Sequence, residues 1–330
     1  MINQIIIYSL LSFLLFYFFS RISYYFNLVD VPKNRKFHSK TTAYTGGIAI
    51  CSNLIISIFI FNITENVLNV ILSMSFLISV VGLIDDKFHL NVGGKLSLQI
   101  IPIFYLIVSQ NLFLNDIGNY YYFELKLGAF SMPFTLLCVL LLINSFNYFD
   151  GLDGTLSFST ISVLFILYFL TSDKNFELFI LIFLIPIAIF LLFNFSILKL
   201  PKLFLGDSGS LLLGFIISFM LIYAEKENFI HPILLAWSIS IFVFEFLSIN
   251  LIRLKNKQNP FKAGLDHLHH LLYRKFKSKF YSNLIIFLLN ISLFLIGYLG
   301  FVFLNPLSSL VMFIIGFLLF LYLRLEISKE

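Results

Sequence analysis

The chain has 330 residues, 59% of them hydrophobic and 12% charged, with a mean hydropathy of +0.96 and a formal net charge of +5. A soluble core cannot hide that much apolar surface, so a water-soluble protein is excluded and an all-α polytopic membrane protein is expected. Charges are scarce enough that each is informative, and no nucleic-acid partner is expected.

A spanning helix needs about 20 apolar residues, fewer where the bilayer is thin. Eleven runs are read as spans, approximately 2–20, 46–62, 67–84, 95–110, 128–146, 155–172, 176–196, 208–224, 231–252, 281–303 and 306–325. The first lacks a basic flank and a small-residue cleavage site, so it is read as a retained helix. The fourth is interrupted by Lys95, Gln99 and Pro102, and the eighth is short. Between the fourth and fifth, residues 111–127 alternate aromatic and polar side chains (Tyr120, Tyr122, Glu124, Lys126), which predicts either a small hairpin or an interfacial tyrosine belt. Cys51 and Cys138 lie in or beside apolar runs and read as packing residues.

With eleven spans, residues 21–45, 85–95, 147–154, 197–207 and 253–280 share one side with the C-terminal tail. That side holds nineteen of the 22 Lys and Arg, and the other holds only Lys126, Lys174 and Lys226. The basic side is therefore predicted to be cytoplasmic, with the N-terminus outside and the C-terminus cytoplasmic. No repeat or soluble segment interrupts the pattern, so 1–330 is read as one integral-membrane domain.

The chemistry-bearing residues fall on the predicted cytoplasmic side. Residues 30–50, DVPKNRKFHSKTTAYTGGIAI, bring Arg35, Lys36, His38 and Lys40 to a double glycine. A phosphate or lipid-headgroup role fits, and so does topology determination alone. In GLIDDKFHL, Asp85 and Asp86 end the third span, with Lys87 and Lys95 nearby. Adjacent carboxylates repel unless a cation lies near, which suits a metal site or a general base, or a simple helix end. In NSFNYFDGLDG, Asn147, Asp150 and Asp153 recur every third residue, which predicts one helical face of hard oxygen donors suited to Mg²⁺. In FLGDSGS, Asp207 is either a helix cap, with Ser208 as the alternative cap, or a metal ligand at a helix start whose free N–H groups face phosphate. The other acidic clusters favour the second. The longest basic connection, RLKNKQNPFKAGLDHLHHLL, carries Arg253, Lys255 and Lys262 with His267, His269 and His270. This spacing is not that of a zinc hydrolase. It fits a pyrophosphate clamp better than a loop that only follows anionic lipid.

In order, these motifs are RKFH before GGIAI, then GLIDD, FNYFDGLDG, GDSGS and HLHH. Together, from about Asp30 to Leu272, they resemble the polyprenyl-phosphate N-acetylhexosamine-1-phosphate transferases, the WecA/MraY-like superfamily of glycosyltransferase family 4. HLHH resembles the branch that transfers N-acetylglucosamine 1-phosphate to undecaprenyl phosphate.

The resemblance implies Mg²⁺, with Mn²⁺ as the alternative, held by Asp207 and Asn147. Asp85 would deprotonate or orient the acceptor phosphate, with Asp86 in support, and Asp150 and Asp153 would contact the nucleotide and shape the metal site. His267, His269 and His270 would bind the donor diphosphate or sugar, with Lys36, Lys95 and Arg253 as weaker phosphate contacts. The implied location is the bacterial cytoplasmic (inner) membrane, with the active site facing the cytoplasm. The sugar, the downstream polymer and a homodimer stay open. Ala43, where the family has Pro, and Glu245, where it has Asp, are departures. A transporter or flippase is the rival class, but it should show charges near the bilayer midplane and paired interrupted helices.

Overall fold

The computed structural model describes residues 2–32, 40–61, 63, 65–259, 264 and 266–327. Among them the chain forms helices α1 (Ile2–Tyr25), α2 (Gly46–Phe61), α3 (Asn66–Phe88), α4 (Val92–Ser109), α5 (Ser131–Phe149), α6 (Thr155–Leu170) and α7 (Lys174–Asn194). They continue with α8 (Gly206–Lys226), α9 (Pro232–Ser238), α10 (Ser240–Lys255), α11 (Leu268–Phe276), α12 (Lys279–Phe303) and α13 (Pro306–Ile327). Strand pairs are short: β1 (Val29–Asp30) with β2 (Thr42–Ala43), and β3 (Asp116–Asn119) with β4 (Glu124–Lys126), both antiparallel. The protein is thus an all-α integral membrane protein.

Each expected span coincides with a helix, and one of them is divided. Among the described residues, eight helices are long and apolar enough to cross a bilayer alone. The ninth expected span, 231–252, is broken into α9 and α10, which bend by 70° at Ile239. α2 and α6, at 16 residues each, reach only about 24 Å, short of a typical hydrocarbon core. Polar caps start several helices where the apolar runs begin: Asn91 accepts the Gly94 N–H at 2.7 Å, and Asp173 accepts that of Phe176 at 2.7 Å. Of the two readings of 111–127, the hairpin is the one that forms. Cys51 and Cys138 are both free.

The chain divides into two compact units: Met1–Asn111 with Asp173–Ile217, and Leu112–Ser172 with Ser218–Glu330. In the first, α1 packs on α2 and α7, with Phe16 against Phe190 and Phe193. The double glycine acts through its backbone. Gly46 and Gly47 donate to the carbonyls of Phe204 and Leu205 at 3.0 and 2.9 Å, and Ala43 accepts from Phe204 N–H at 2.8 Å. A Cβ on Gly47 would collide with the Gly209 backbone, and one on Gly82 with Asp207 and Ser208. Two bare helix surfaces therefore press directly on the start of α8.

In the second unit, α12 packs against α6, α9 and α13, and α10 against α5, where Phe146 stacks on Phe242 at 4.0 Å. The break between α9 and α10 frees backbone groups that water cannot reach, and α12 supplies their partner. Asn290 donates to the Ser238 carbonyl at 3.0 Å and to Ser162 Oγ at 2.8 Å, and accepts from Ile241 N–H at 3.4 Å.

Candidate functional site

Polar clusters are found in both units among the described residues. In the first, the end of α3, the first turn of α4 and the start of α8 converge. Lys95 Nζ lies 2.7 Å from Asp85 Oδ2 and 2.6 Å from Asp207 Oδ2, so one ammonium bridges carboxylates from two other helices. The other oxygen of Asp85 accepts the Leu90 N–H at 2.9 Å. Asp86 has a different task. Its Oδ1 accepts the Asp207 N–H at 2.9 Å and its Oδ2 the Ser208 N–H at 3.2 Å, which caps α8 from a neighbouring helix. Two of the N–H groups expected to face a phosphate, those of Asp207 and Ser208, are thus taken by Asp86, and neither Asp207 nor Ser208 is the cap. Gly206, at φ +73°, turns the chain into α8 beside Asp86.

In the second unit, the NSFNYFDGLDG segment departs from the expected helical face. α5 stops at Phe149, Asp150 caps it, and 150–154 form a turn that Gly154, at φ +81°, closes into α6. Only Asn147 remains helical. The reversal into α6 needs a left-handed glycine, which is incompatible with a continuous helix across the three residues. Asp153 pairs with Lys279 Nζ at 2.6 Å, its carbonyl accepts from Asn283 Nδ2 at 2.8 Å, and Thr155 donates to Asn283 Oδ1 at 2.7 Å. This stitches the turn to α12.

The histidines lie against the same turn. Gly151 has no room for a Cβ because His269 and His270 press on it, and Tyr148 meets the His267 ring at 5.1 Å. The His267 and His269 rings are parallel, 5.6 Å apart, and His269 and His270 are 4.2 Å apart. Burial pushes His267 down to about 4 despite the opposing charge of Asp266. Burial also pushes His269 well below the usual imidazole range, helped by the neighbouring imidazoles, and burial followed by the Arg274 charge lowers His270. These side chains are therefore neutral at neutral pH and act as hydrogen-bonding groups rather than as cations. Among the described residues, His267 Nδ1 and His269 Nε2 are buried and find no hydrogen-bond partner, an arrangement that a ligand would relieve.

Arg253 is buried and makes a two-pronged pair with Asp266, Nε to Oδ2 at 3.1 Å and Nη2 to Oδ1 at 2.8 Å. Burial alone would raise the Asp266 carboxyl, but the hydrogen bonds and charge of Arg253 outweigh it and hold the group below the usual carboxylate range. Glu245 pairs with Arg324 of α13, Nε to Oε2 at 3.0 Å, and accepts the Leu268 N–H that opens α11 at 2.7 Å.

The first unit therefore gathers Asp85, Asp86, Lys95 and Asp207. The second gathers Asp153 with α12, and Arg253 with the histidine segment beside the α5–α6 turn. Arg35, Lys36, His38 and Lys262 lie outside the described residues. Asp266, Lys279, Asn283 and Arg324 were not singled out by the motifs. The one signal for Arg324 was a strong cation at the end of the last apolar run.

A family model described as Glycosyl transferase family 4 matches residues 68–225. The undecaprenyl-phosphate alpha-N-acetylglucosaminyl 1-phosphate transferase of Escherichia coli K12 is 31% identical over 271 residues, 79% of this chain and 73% of that protein. The Yersinia pestis protein of the same name is 29% identical, over 82% of this chain and 76% of its own length. A Bacillus subtilis protein named as a probable undecaprenyl-phosphate N-acetylglucosaminyl 1-phosphate transferase is 31% identical over the same shares. The chain belongs to glycosyl transferase family 4. It is a phosphoglycosyltransferase, in agreement with the resemblance read from its motifs.

Proposed function

We propose that the chain transfers N-acetylhexosamine 1-phosphate, with N-acetylglucosamine as the first candidate sugar, from a UDP-sugar to undecaprenyl phosphate. An oxygen of the acceptor phosphate attacks the phosphorus that carries the sugar. The bond to the other phosphate breaks, UMP leaves, and an undecaprenyl diphosphate sugar starts a cell-envelope polysaccharide. We favour direct attack over an aspartyl intermediate. The membrane is the bacterial cytoplasmic membrane, crossed eleven times, with the polar clusters on the cytoplasmic side where the acceptor headgroup and the nucleotide sugar meet.

The observation that carries this reading is the convergence of Asp85 and Asp207 on one cationic position. Among the described residues no group of three or more His, Cys, Asp or Glu could hold a metal ion, so a closed protein cage does not fit. Mg²⁺ at phosphoryl-transfer sites needs only one or two carboxylates, with substrate oxygens and waters completing its shell. The two carboxylates fit that demand: Asp207 and Asp85 would hold the ion, with the Lys95 ammonium displaced from between them, while Asn147, the other ligand the resemblance implied, lies on α5 in the second unit. Held by these residues, Mg²⁺ would supply charge neutralisation for the diphosphate.

Without the ion, Lys95 screens the two carboxylates from each other; displaced by it, the ammonium would be offered to the transferred phosphate. Asp85 orients the acceptor phosphate. Asp86 fixes the helix start that carries Asp207. The neutral His267 and His269 supply hydrogen bonds to the donor, through nitrogens that find no partner among the described residues.

The test is UMP release by purified protein with undecaprenyl phosphate, Mg²⁺ and a panel of UDP-N-acetylhexosamines. Asp207→Asn, which keeps the shape and removes the charge, is expected to lower the rate by at least about 100-fold. Release that is independent of lipid, of Mg²⁺ or of Asp207 sinks the reading, and the best donor names the sugar.

A further inference from the structure

Of the residues of α13, Ser309 and Arg324 are the buried ones; Phe313, Phe317 and Phe320 pack half-buried against Trp237 and Phe244, and much of the rest of this apolar helix is exposed. A guanidinium held inside a membrane protein needs compensation close by. Arg324 finds it in Glu245, itself only 1% exposed, through Nε to Oε2 at 3.0 Å and Nη2 to Oε1 at 3.1 Å. The pair does more than neutralise itself. Arg324 Nη2 also donates to the backbone carbonyl of Asp266 at 2.6 Å, and Glu245 Oε1 accepts the backbone N–H of Leu268 at 2.7 Å. Asp266 and Leu268 are the two neighbours of His267. The peptide groups before and after this histidine are thus fastened to one buried ion pair, while Arg253 fixes the Asp266 side chain separately.

We propose that Arg324 is a positioning residue for His267, acting from the last helix through Glu245 and the Asp266 carbonyl to set how the histidine segment presents itself to the nucleotide sugar. This rests on the reading of His267 and His269 as donor-binding groups. An ion pair that served stability alone could be exchanged for uncharged groups of similar volume without consequence for the substrate. One that clamps the backbone on both sides of a binding residue cannot.

Three variants test it, read by separate KM values for UDP-N-acetylglucosamine and undecaprenyl phosphate. Glu245→Gln combined with Arg324→Met leaves no unpaired charge and keeps an acceptor for Leu268 N–H. It is expected to raise the donor KM about tenfold, with kcat and the acceptor KM within about threefold of the parent. Arg324→Lys keeps the charge opposite Glu245 without the planar fork, and is expected to raise the donor KM by a smaller factor; it decides the matter if the double variant does not fold. A donor KM within about twofold of the parent in folded protein, or donor and acceptor KM values rising together, overturns the inference. His267→Gln separates the two readings. If it leaves the donor KM unchanged, the donor-binding role of the histidine falls whatever Arg324 does. If it raises the donor KM and the Arg324 variants do not, only the role of Arg324 falls.

Discussion

Folding takes the imidazoles of His267, His269 and His270 out of water, and at the residue scale this has a consequence for acid stability. The folded His267 holds its proton only below about 4, whereas in the unfolded chain it titrates near its ordinary value of 6.5. Between those values the unfolded state binds more protons, so stability is fully present above about pH 6.5 and is lost as the pH falls towards 4. The expected loss from this one group is at most about 3 kcal/mol. Thermal unfolding followed from pH 7.5 to 4.5 checks it: His267→Gln should flatten the acid limb, and an unchanged limb in that variant would assign the loss elsewhere. The acidic residues show how one residue type divides its tasks. Asp85 and Asp207 share an ammonium, Asp86 caps a helix, and Asp153 anchors a turn through Lys279. Their positions in the chain were legible as motifs. Their tasks were not, because a carboxylate's partner lies up to 126 residues away in the chain.

Among the elements, the break at Ile239 is the feature that hydropathy could not show. Residues 231–252 carry only His231 and Glu245 as titratable groups and read as one continuous span; the one proline, Pro232, opens α9 seven residues before the bend, and the run has no glycine. What permits it is Asn290 on α12, which satisfies the Ser238 carbonyl and the Ile241 N–H that the break exposes. Asn290→Leu should leave these groups unpaired and destabilise the protein by about 1–3 kcal/mol. The single tryptophan, Trp237, is buried beside the break with Nε1 donating to Ser309 Oγ at 3.0 Å, so its emission reports the site directly. A red-shifted emission and a lowered melting temperature are expected; an unchanged spectrum and melting temperature would show that the break is held by packing alone. The hairpin β3–β4 is the opposite case, since its alternation was visible in the sequence and only the choice between hairpin and belt needed the structure.

For the whole molecule, the charge bias of the connections is a statement about orientation that the fold does not itself express. Tyr121, in the β3–β4 turn, and Lys277, after α11, are both exposed and belong to opposite predicted sides. In a background without Cys51 and Cys138, Tyr121→Cys should react with a membrane-impermeant maleimide in intact cells. Lys277→Cys should react only after permeabilisation. Labelling of both from the same side would remove the eleven-span orientation.

The sequence by itself determined the membrane class, the eleven apolar runs, the motif order and the family, because hydropathy and short-range spacing are local properties of a chain. It also determined which residues carry charge in an apolar setting, where such charges are costly and therefore few. Only the tertiary structure decided which charges neutralise one another. Lys95 and Asp207 are 112 residues apart and Glu245 and Arg324 are 79 apart, and no periodicity connects them. It also ended the expected helix at Phe149, since the turn into α6 is selected by Gly154 and by the hold of α12 on Asp153. In a medium without water a buried polar group must find its partner inside the protein, and the partner is whatever helix the packing brings alongside.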